Sequence, residues 1–236
     1  MTDETFRDET DLPASEDLGD IRLDELTGPL QAACDRAGWK SLVPVQARAI
    51  PYLLAGRDVM IQSRTGSGKT GAYLLPIMQK VDVRKKAAQA LVLVPTRELA
   101  LQVSLEAKLL AGDTEFKTAV VYGGVGYGAQ LEAFRQGAQL VVGTPGRILD
   151  HLLKDTLSLD NLRILIFDEA DRMLSMGFYP DMVKIRKYVP IGKIASSMFS
   201  VAAEQSWTQY PLKFSRFMSP QTTMATDASR SGCEKG

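Results

Sequence analysis

A glycine-rich run between a strand-like segment and a helical pattern constrains this chain more than any other feature. Residues 58–62 are mostly apolar, residues 70–78 carry apolar side chains at helical spacing, and between them the chain reads Ser63-Arg64-Thr65-Gly66-Ser67-Gly68-Lys69-Thr70. A glycine loop that leads into a helix N-terminus points backbone N–H groups at bound phosphate. The pattern G-x-x-x-x-G-K-[ST] requires glycine where this chain has Ser63, so the flanking strand and helix carry the prediction. The alternative is a Gly/Ser turn that merely links two elements.

An acidic run further along the chain predicts the other half of a triphosphate site: Ile164-Leu165-Ile166-Phe167-Asp168-Glu169-Ala170-Asp171. Consecutive side chains leave a strand in opposite directions, so the first two carboxylates are suited to different tasks. We expect Lys69 to contact the β- and γ-phosphates, and Thr70 and Asp168 to bind Mg²⁺. Glu169 is the candidate that orients or deprotonates the attacking water. Plain solvated strand termination is the alternative.

Short aliphatic runs alternate with helical patterns along the chain. The strand-like runs lack the polar alternation of half-exposed strands, which indicates strands buried on both faces of a parallel sheet. We predict strands at 58–62, 90–94, 118–122, 140–143 and 164–167, and helices at 26–36, 45–54, 70–81, 97–111, 127–135, 146–153 and 179–188. This alternation predicts a doubly wound α/β domain: a mostly parallel sheet with helices on both faces and ligands at the carboxyl ends of the strands.

Composition bounds the class of protein. The 236 residues suffice for one substantial domain, and no apolar run approaches the ~20 residues needed to cross a bilayer. The N-terminus lacks the basic and apolar regions of a secretory signal, and Cys34 and Cys233 have no partner motif, so we expect a soluble, cytoplasmic protein without a membrane partner. The single histidine, His151, is expected on a helix surface rather than at a metal.

Charge divides the chain into unlike parts. Residues 1–20 hold eight acidic residues and one arginine, which leaves a net charge of +7 on residues 21–236. We predict an acidic disordered leader over 1–20, a folded domain over 21–200 and a divergent, largely disordered tail over 201–236, with no ordered element from Met218 onward. Self-inhibition of a phosphate-binding surface is the alternative interpretation of the leader.

Further motifs accompany the acidic run in a recognisable order. Asp168-Glu169-Ala170-Asp171 resembles the signature of the DEAD-box ATP-dependent RNA helicases, a family of superfamily 2. The order and spacing of that family also occur in Pro95-Thr96-Arg97-Glu98-Leu99-Ala100, Gly123-Gly124 and Thr144-Pro145-Gly146-Arg147. The resemblance covers about residues 20–190. It implies the first of the family's two RecA-like domains, a P-loop NTPase fold that binds ATP, Mg²⁺ and RNA.

The resemblance also implies that RNA binds at three of these motifs. Pro95-Thr96-Arg97 and Thr144-Pro145-Gly146-Arg147 each join a strand end to a helix start, where N–H groups, a hydroxyl and a guanidinium meet a phosphate. Gly123-Gly124 allows a sugar-phosphate backbone to approach closely. Contacts of this kind hold a strand without reading its sequence. Ordinary strand-to-helix turns are the alternative for each motif alone.

An upstream segment looks like the family's adenine-recognising Q motif: Gly38-Trp39-Lys40-Ser41-Leu42-Val43-Pro44-Val45-Gln46. The Gln46 amide offers a donor and an acceptor that match adenine N6 and N7, so ATP is expected over GTP. Leu42 and Val43 replace the family's usual proline and threonine, and Ile21 stands at its upstream aromatic position, so we expect reduced nucleotide affinity. For Trp39, a core position and a position against the base are equally expected.

Two departures from the family bear on activity. The family's Ser-Ala-Thr motif links hydrolysis to RNA strand separation, and the comparable residues here are Met198-Phe199-Ser200-Val201-Ala202. The resemblance implies coupling through Asp171 and Ser200, but the hydrogen bond of the missing threonine hydroxyl is expected to be lost. The family's second RecA-like domain, which supplies arginines to the γ-phosphate, has no counterpart in these residues. We therefore expect weak ATP turnover and no unwinding by this chain alone.

Two other functions stay open. A non-catalytic module that competes for RNA or for a helicase partner would need the binding residues but not Glu169. A DNA-directed ATPase of superfamily 2 would share the phosphate loop but would not predict Gln46 in this arrangement. The leading interpretation is an ATP-dependent RNA helicase domain.

Overall fold

The computed structural model describes residues 17–64, 66–190, 194, 196–201 and 223–226. Its centre is a sheet of seven strands in the order β3-β4-β2-β5-β6-β1-β7, and every strand pairs in parallel with its neighbours. The strands are β1 (Val59–Gln62), β2 (Ala90–Leu93), β3 (Thr118–Val121), β4 (Leu140–Gly143), β5 (Ile164–Phe167), β6 (Ser196–Val201) and β7 (Thr223–Thr226). The predicted α/β class with a mostly parallel sheet is confirmed.

The strands are apolar on both sides because each side packs into a separate core. In β2, Ala90 and Val92 belong to one buried cluster, whereas Leu91 and Leu93 belong to the other. The same alternation holds in β5, where Ile164 and Ile166 face the first cluster. Two-sided burial is the physical reason for the aliphatic runs seen in the sequence.

Helices cover both faces. Those of the first core are α1 (Gly28–Arg36), α2 (Pro44–Leu54), α3 (Lys69–Lys80) and α4 (Arg97–Ala111); the second face carries α5 (Gly128–Arg135), α6 (Pro145–Leu153), α7 (Ala170–Ser175) and α8 (Tyr179–Arg186). Because all strands run the same way, the loops after β1 to β5 lie along one edge of the sheet, here called the carboxyl edge. The candidate residues of these loops are therefore neighbours.

Helix α7 and strands β6 and β7 were not predicted. The six-residue helix α7 directly follows the acidic pair, and its apolar period is too short to be recognised. Strand β7 differs from the expectation of disorder from Met218 onward, since residues 223–226 pair with the outer edge of β1, with Val59 opposite Thr223. The remainder of the predicted tail, and residues 1–16 of the predicted leader, lie outside the described residues.

The prediction that His151 lies on a helix surface is wrong. Its side chain is buried in α6, 2.8 Å from the Gln130 Oε1 and 2.8 Å from the Thr156 hydroxyl. The rings of Tyr127 and Phe134 meet it edge-on. Burial, and then the nearby guanidinium of Arg147, lower the pKa of His151. It is a structural residue that ties α6 to α5.

We expect acid to destabilise the fold through His151. Its pKa in the folded state lies below the usual value of 6.5, so below pH 6.5 the unfolded chain takes up this proton first. The free energy of unfolding should therefore decline from about pH 6.5 downward, with a slope of at most ~1.4 kcal/mol per pH unit from this group. Urea denaturation between pH 7.5 and 5 should show a weaker pH dependence for His151→Gln. Equal slopes in both proteins would contradict the assignment.

Candidate nucleotide and RNA site

The loop between β1 and α3 has the backbone shape that the glycine pattern predicts. Gly66 and Gly68 have positive φ angles of 78° and 95°, a region that side-chain-bearing residues rarely adopt. A Cβ atom at Gly68 would lie only 2.7 Å from the Val43 Cγ2 atom, so the loop also packs tightly against the start of α2. Thr65, another residue of the predicted loop, lies outside the described residues.

Lys69 turns back into the curve of this loop. Its ammonium group donates to the carbonyl oxygens of Ser63 and Arg64, both at 2.8 Å, and its side chain is almost fully buried. The Ser63 and Ser67 hydroxyls are 2.5 Å apart across the loop. Position 63, where the pattern asks for glycine, thus supplies a hydroxyl that braces the loop from inside.

The acidic corner and the phosphate loop meet at one phenol that the sequence analysis missed. Tyr73 of α3 is fully buried, and its hydroxyl donates to the Asp168 Oδ2 at 3.0 Å. The Thr70 side chain also interacts with this phenol. Burial, and then the charge of Asp168, raise the pKa of Tyr73 well above its usual value, so the hydroxyl stays protonated and donates. The two predicted Mg²⁺ ligands are therefore joined through a single side chain.

Asp168 is held from its other side as well. Its Oδ1 accepts a bond of 2.8 Å from the Ser200 hydroxyl and one of 3.1 Å from the Glu169 backbone N–H. Ala202, which replaces the family's threonine, lies outside the described residues. The Ser200 hydroxyl nevertheless links this segment to the acidic motif. Asp171, its predicted coupling partner, is buried at the start of α7.

The predicted water-activating residue has an ionic partner. Glu169 adopts the left-handed conformation with φ 50° and ψ 50°, and its Oε2 accepts from the Arg172 Nη1 at 3.1 Å. Arg172 follows three residues later in α7 and is exposed, so this pair lies at the protein surface. The pairing could have been foreseen from the spacing of the two residues on a helix.

Gln46 joins the adenine-recognition segment to the phosphate loop. Its amide Nε2 donates to the Gly68 carbonyl at 3.1 Å, and its Oε1 accepts from the Val43 N–H at 3.1 Å. Trp39 packs against the first core. A Cβ atom added to Gly71 would lie only 2.3 Å from the Trp39 ring. The glycine of α3 is thus required by the tryptophan, and the described contacts of Trp39 are those of a core residue.

The first two RNA motifs meet through an aromatic ring. The Thr96 Oγ1 caps α4 by accepting from the Leu99 N–H at 3.2 Å, which is the ordinary capping bond of a helix start. The Arg97 guanidinium lies over the ring of Tyr122, 4.8 Å from its centroid. Gly123 and Gly124 follow that tyrosine and are exposed, and Gly124 has a φ of 81°.

The third RNA motif contacts the far end of the loop that follows Tyr122. Arg147 in the first turn of α6 stacks over Tyr127, 4.3 Å from the ring centroid, and donates to the Val125 carbonyl at 2.7 Å. The Tyr127 hydroxyl donates to Asp150 and accepts from Lys154. The structure therefore brings Arg97, Gly123-Gly124 and Arg147 together around residues 122–127. Tyr122 and Tyr127, which sequence reasoning passed over, carry these contacts.

All these groups lie along the carboxyl edge in two adjoining halves. The loops after β3, β4 and β2 carry the RNA motifs. The loop after β1 is the phosphate loop, and the acidic motif follows β5. The donor set fits Mg²⁺·ATP: a carboxylate and a hydroxyl are the hard oxygen ligands that magnesium prefers, and the glycine loop suits phosphate. Among the described residues no cluster of three or more metal-ligating side chains occurs.

Comparisons with known proteins agree with this geometry. Residues 43–208 match the family model described as DEAD/DEAH box helicase. The chain is 44% identical over 193 residues to the ATP-dependent RNA helicase DeaD of Escherichia coli, covering 80% of this chain and 30% of that protein. It is 46% identical over 156 residues to the ATP-dependent RNA helicase CshA of Listeria monocytogenes, covering 66% of this chain and 30% of that protein. The chain thus spans about 30% of the length of these curated relatives.

Solved structures show the same fold. A DEAD box protein from the hyperthermophile Methanococcus jannaschii superposes with a TM-score of 0.79 at 34% identity, over 88% of this chain and 56% of that one. Within the described part of the chain, no helix has the length and apolar character needed to span a membrane.

We expect the Tyr73 hydroxyl to support magnesium-dependent nucleotide binding. Tyr73→Phe keeps the buried ring but removes the donor to Asp168 and the link to Thr70. A hydrogen bond to a charged group is worth ~1.5–3 kcal/mol, so the affinity for Mg²⁺·ATP should fall by about tenfold or more. Binding of a fluorescent ATP analogue, titrated with Mg²⁺ and with EDTA, measures this directly. The loss should be confined to the magnesium-dependent part.

Tyr52→Phe is the matched control. The Tyr52 hydroxyl is also buried and also donates to a carboxylate, that of Asp17 at 2.8 Å, but this bond ties α2 to residue 17 rather than to the acidic motif. Its removal should affect stability without changing magnesium-dependent binding. Equal losses of nucleotide affinity in the two variants would show that the effect of Tyr73→Phe is merely structural.

Proposed function

This chain belongs to the DEAD/DEAH box helicase family, and from that premise we propose that it is the ATP- and RNA-binding first domain of an ATP-dependent RNA helicase. The observation that supports this most strongly is the Tyr73 hydroxyl, which joins Thr70 of the phosphate loop to Asp168 of the acidic motif. The two motifs are far apart in sequence and follow different strands, β1 and β5. A buried phenol between them supports the proposal that they act at one site.

The residues of the nucleotide half have distinct tasks in this proposal. Lys69 and the loop N–H groups hold the phosphates, Thr70 and Asp168 hold Mg²⁺, and Gln46 lies beside Gly68 where the base would approach. Magnesium, when bound, neutralises charge on the phosphate oxygens. On binding, the Lys69 ammonium exchanges the carbonyl oxygens of Ser63 and Arg64 for phosphate oxygens.

Glu169 holds the proton-accepting position. Its carboxylate is paired with Arg172 at 3.1 Å through one oxygen, Oε2. The left-handed backbone at Glu169 directs its side chain away from that of Asp168. In this proposal the Glu169 carboxylate is therefore not a metal ligand.

RNA would be held through its backbone. Thr96, Arg97, Arg147 and the glycines at 123 and 124 present hydroxyl, guanidinium and open backbone along one surface, and none of these groups is arranged to read a base edge. Binding should be independent of sequence. We place this activity in the cytoplasm.

Glu169→Gln tests whether the domain is an enzyme. General-base catalysis contributes about 10²–10⁴ in rate, so RNA-stimulated ATP turnover should fall at least a hundredfold while ATP binding persists. Glu132→Gln is the control, because Glu132 also pairs with an arginine three residues later in a helix, Arg135, but lies on α5. Turnover that is equally small in wild type and Glu169→Gln would favour a non-catalytic binding module. Competition between RNA and DNA of one sequence distinguishes the DNA-directed alternative, since RNA alone offers 2′-hydroxyls.

A further inference from the structure

A group of cations lies at the edge of the sheet opposite to the candidate site. They surround the loop of residues 81–89, which joins α3 to β2 and is here called the amino-edge loop. Three are consecutive in the loop, and the others come from the end of α3 and from the residues just before β3 and β5: Lys80, Arg84, Lys85, Lys86, Lys117 and Arg163. All but the half-buried Lys80 are exposed. None of these six residues belongs to the candidate nucleotide site.

Two buried glutamines hold the amino-edge loop in one shape. The Gln89 side chain accepts from the Asp82 N–H at 2.9 Å and donates to the carbonyls of Asp82 and Lys85 at 2.8 and 3.1 Å. The Gln139 side chain donates to the Val83 carbonyl at 2.9 Å and accepts from the Lys117 N–H at 2.8 Å. Both glutamines are about 1% exposed. The loop is therefore ordered in advance, which reduces the entropic cost of binding.

Contacts between segments bring the cations together. The Arg163 guanidinium donates to the Lys80 carbonyl at 3.1 Å. Lys86 packs closely against Gly137, since a Cβ atom added to Gly137 would lie 2.5 Å from the Lys86 Cβ. Burial, and then the charge of Arg163, lower the pKa of Lys80. Between the loop and residues 160–163 lies a polar cavity of about 410 Å³, lined in part by Lys85, Asn161 and Arg163.

The carboxylates on this surface are fewer than the cations. Asp82 pairs with Arg84 at 3.0 Å, and Asp160 lines the cavity. Asp113 and Glu115 lie on the same edge, in the turn that precedes Lys117. None of the exposed large apolar side chains of the described residues belongs to this surface. Protein interfaces need such apolar or aromatic anchors, whereas a polyanion backbone needs mainly cations.

We propose that this basic surface binds the phosphate backbone of RNA that flanks the segment held at the carboxyl edge. The proposal rests on the proposed function, because it takes RNA as the substrate. The helices that cover the sheet separate its two edges, and the 15 residues of α4 are ~22 Å long, so an RNA must extend well beyond the motif residues to reach both edges. A short RNA would occupy the motif residues alone. A longer RNA would engage both edges.

The test compares two charge-reversal variants on two RNA lengths. One variant carries Arg84→Glu, Lys85→Glu and Lys86→Glu; the control carries Lys108→Glu, Lys184→Glu and Lys187→Glu, which change the net charge equally on exposed helix positions. Fluorescence anisotropy with uridine 10-mers and 40-mers measures affinity between 50 and 200 mM salt. We expect the loop variant to bind the 40-mer at least tenfold more weakly and with a shallower salt slope, by ~0.7 per lost phosphate contact, and to bind the 10-mer normally.

Other outcomes are equally informative. Equal weakening by both variants, or none by either, overturns the proposal, since only net charge or nothing would then matter. Lys85→Gln with Lys86→Gln, which leaves the glutamine-held loop intact, should give a smaller loss in the same direction. If Arg97→Gln leaves 10-mer binding unchanged, the proposed RNA site at the carboxyl edge fails. The effect of the loop variant on the 40-mer would still report separately on the basic surface.

Discussion

Two-sided burial of a parallel sheet is the constraint on which the rest of this structure depends. The strands are only four to six residues long, yet β2, β4 and β5 each fill two cores, so nearly every position in these three strands is aliphatic. Parallel order follows from the helices that cover both faces, and it sends every strand end to the same edge. The polar chemistry is thereby confined to loops, and a buried scaffold fixes where those loops begin.

Each candidate binding group already has a protein partner. Lys69 donates to backbone carbonyls, Glu169 accepts from Arg172, Gln46 bonds the phosphate loop and Arg147 stacks on Tyr127. Ligand binding would therefore exchange hydrogen bonds rather than create them, and the net gain from each contact is modest. Affinity should then depend on many contacts formed together. This fits a protein that must release its ligands as readily as it holds them.

Much of the fold could be predicted because the two-sided strands leave an unambiguous aliphatic signal. All five strands predicted between residues 58 and 167 occur within a residue of their expected ends, and the glycine loop lies where the pattern places it. The pairing partner of β1 could not be predicted, since nothing local in residues 59–62 indicates that their neighbours lie at 198–201 and 223–226.

The site was predicted in its residue types but not in its internal contacts. Tyr73 has the spacing of a core residue in an apolar helix. The hydrogen bond of its hydroxyl to Asp168 depends on the tertiary structure and cannot be inferred from the sequence of α3. The burial of His151 escaped prediction for a similar reason, because its buried partner Gln130 comes from a separate helix, α5. Tertiary contacts of polar groups leave little trace in a local pattern.

The position of β6 has a consequence for how the chain folds. This strand lies between β5 and β1, so within the described sheet the strand that leads into the phosphate loop is joined to the strand that leads into Asp168 through residues 196–201. During synthesis, β1 must wait for about 140 further residues before its central neighbour exists. Contacts so distant in sequence form late and leave strand edges unpaired in the meantime. A nascent chain of this design therefore carries both the phosphate loop and the acidic motif before it can bring them together, and the two meet when the last central strand is inserted.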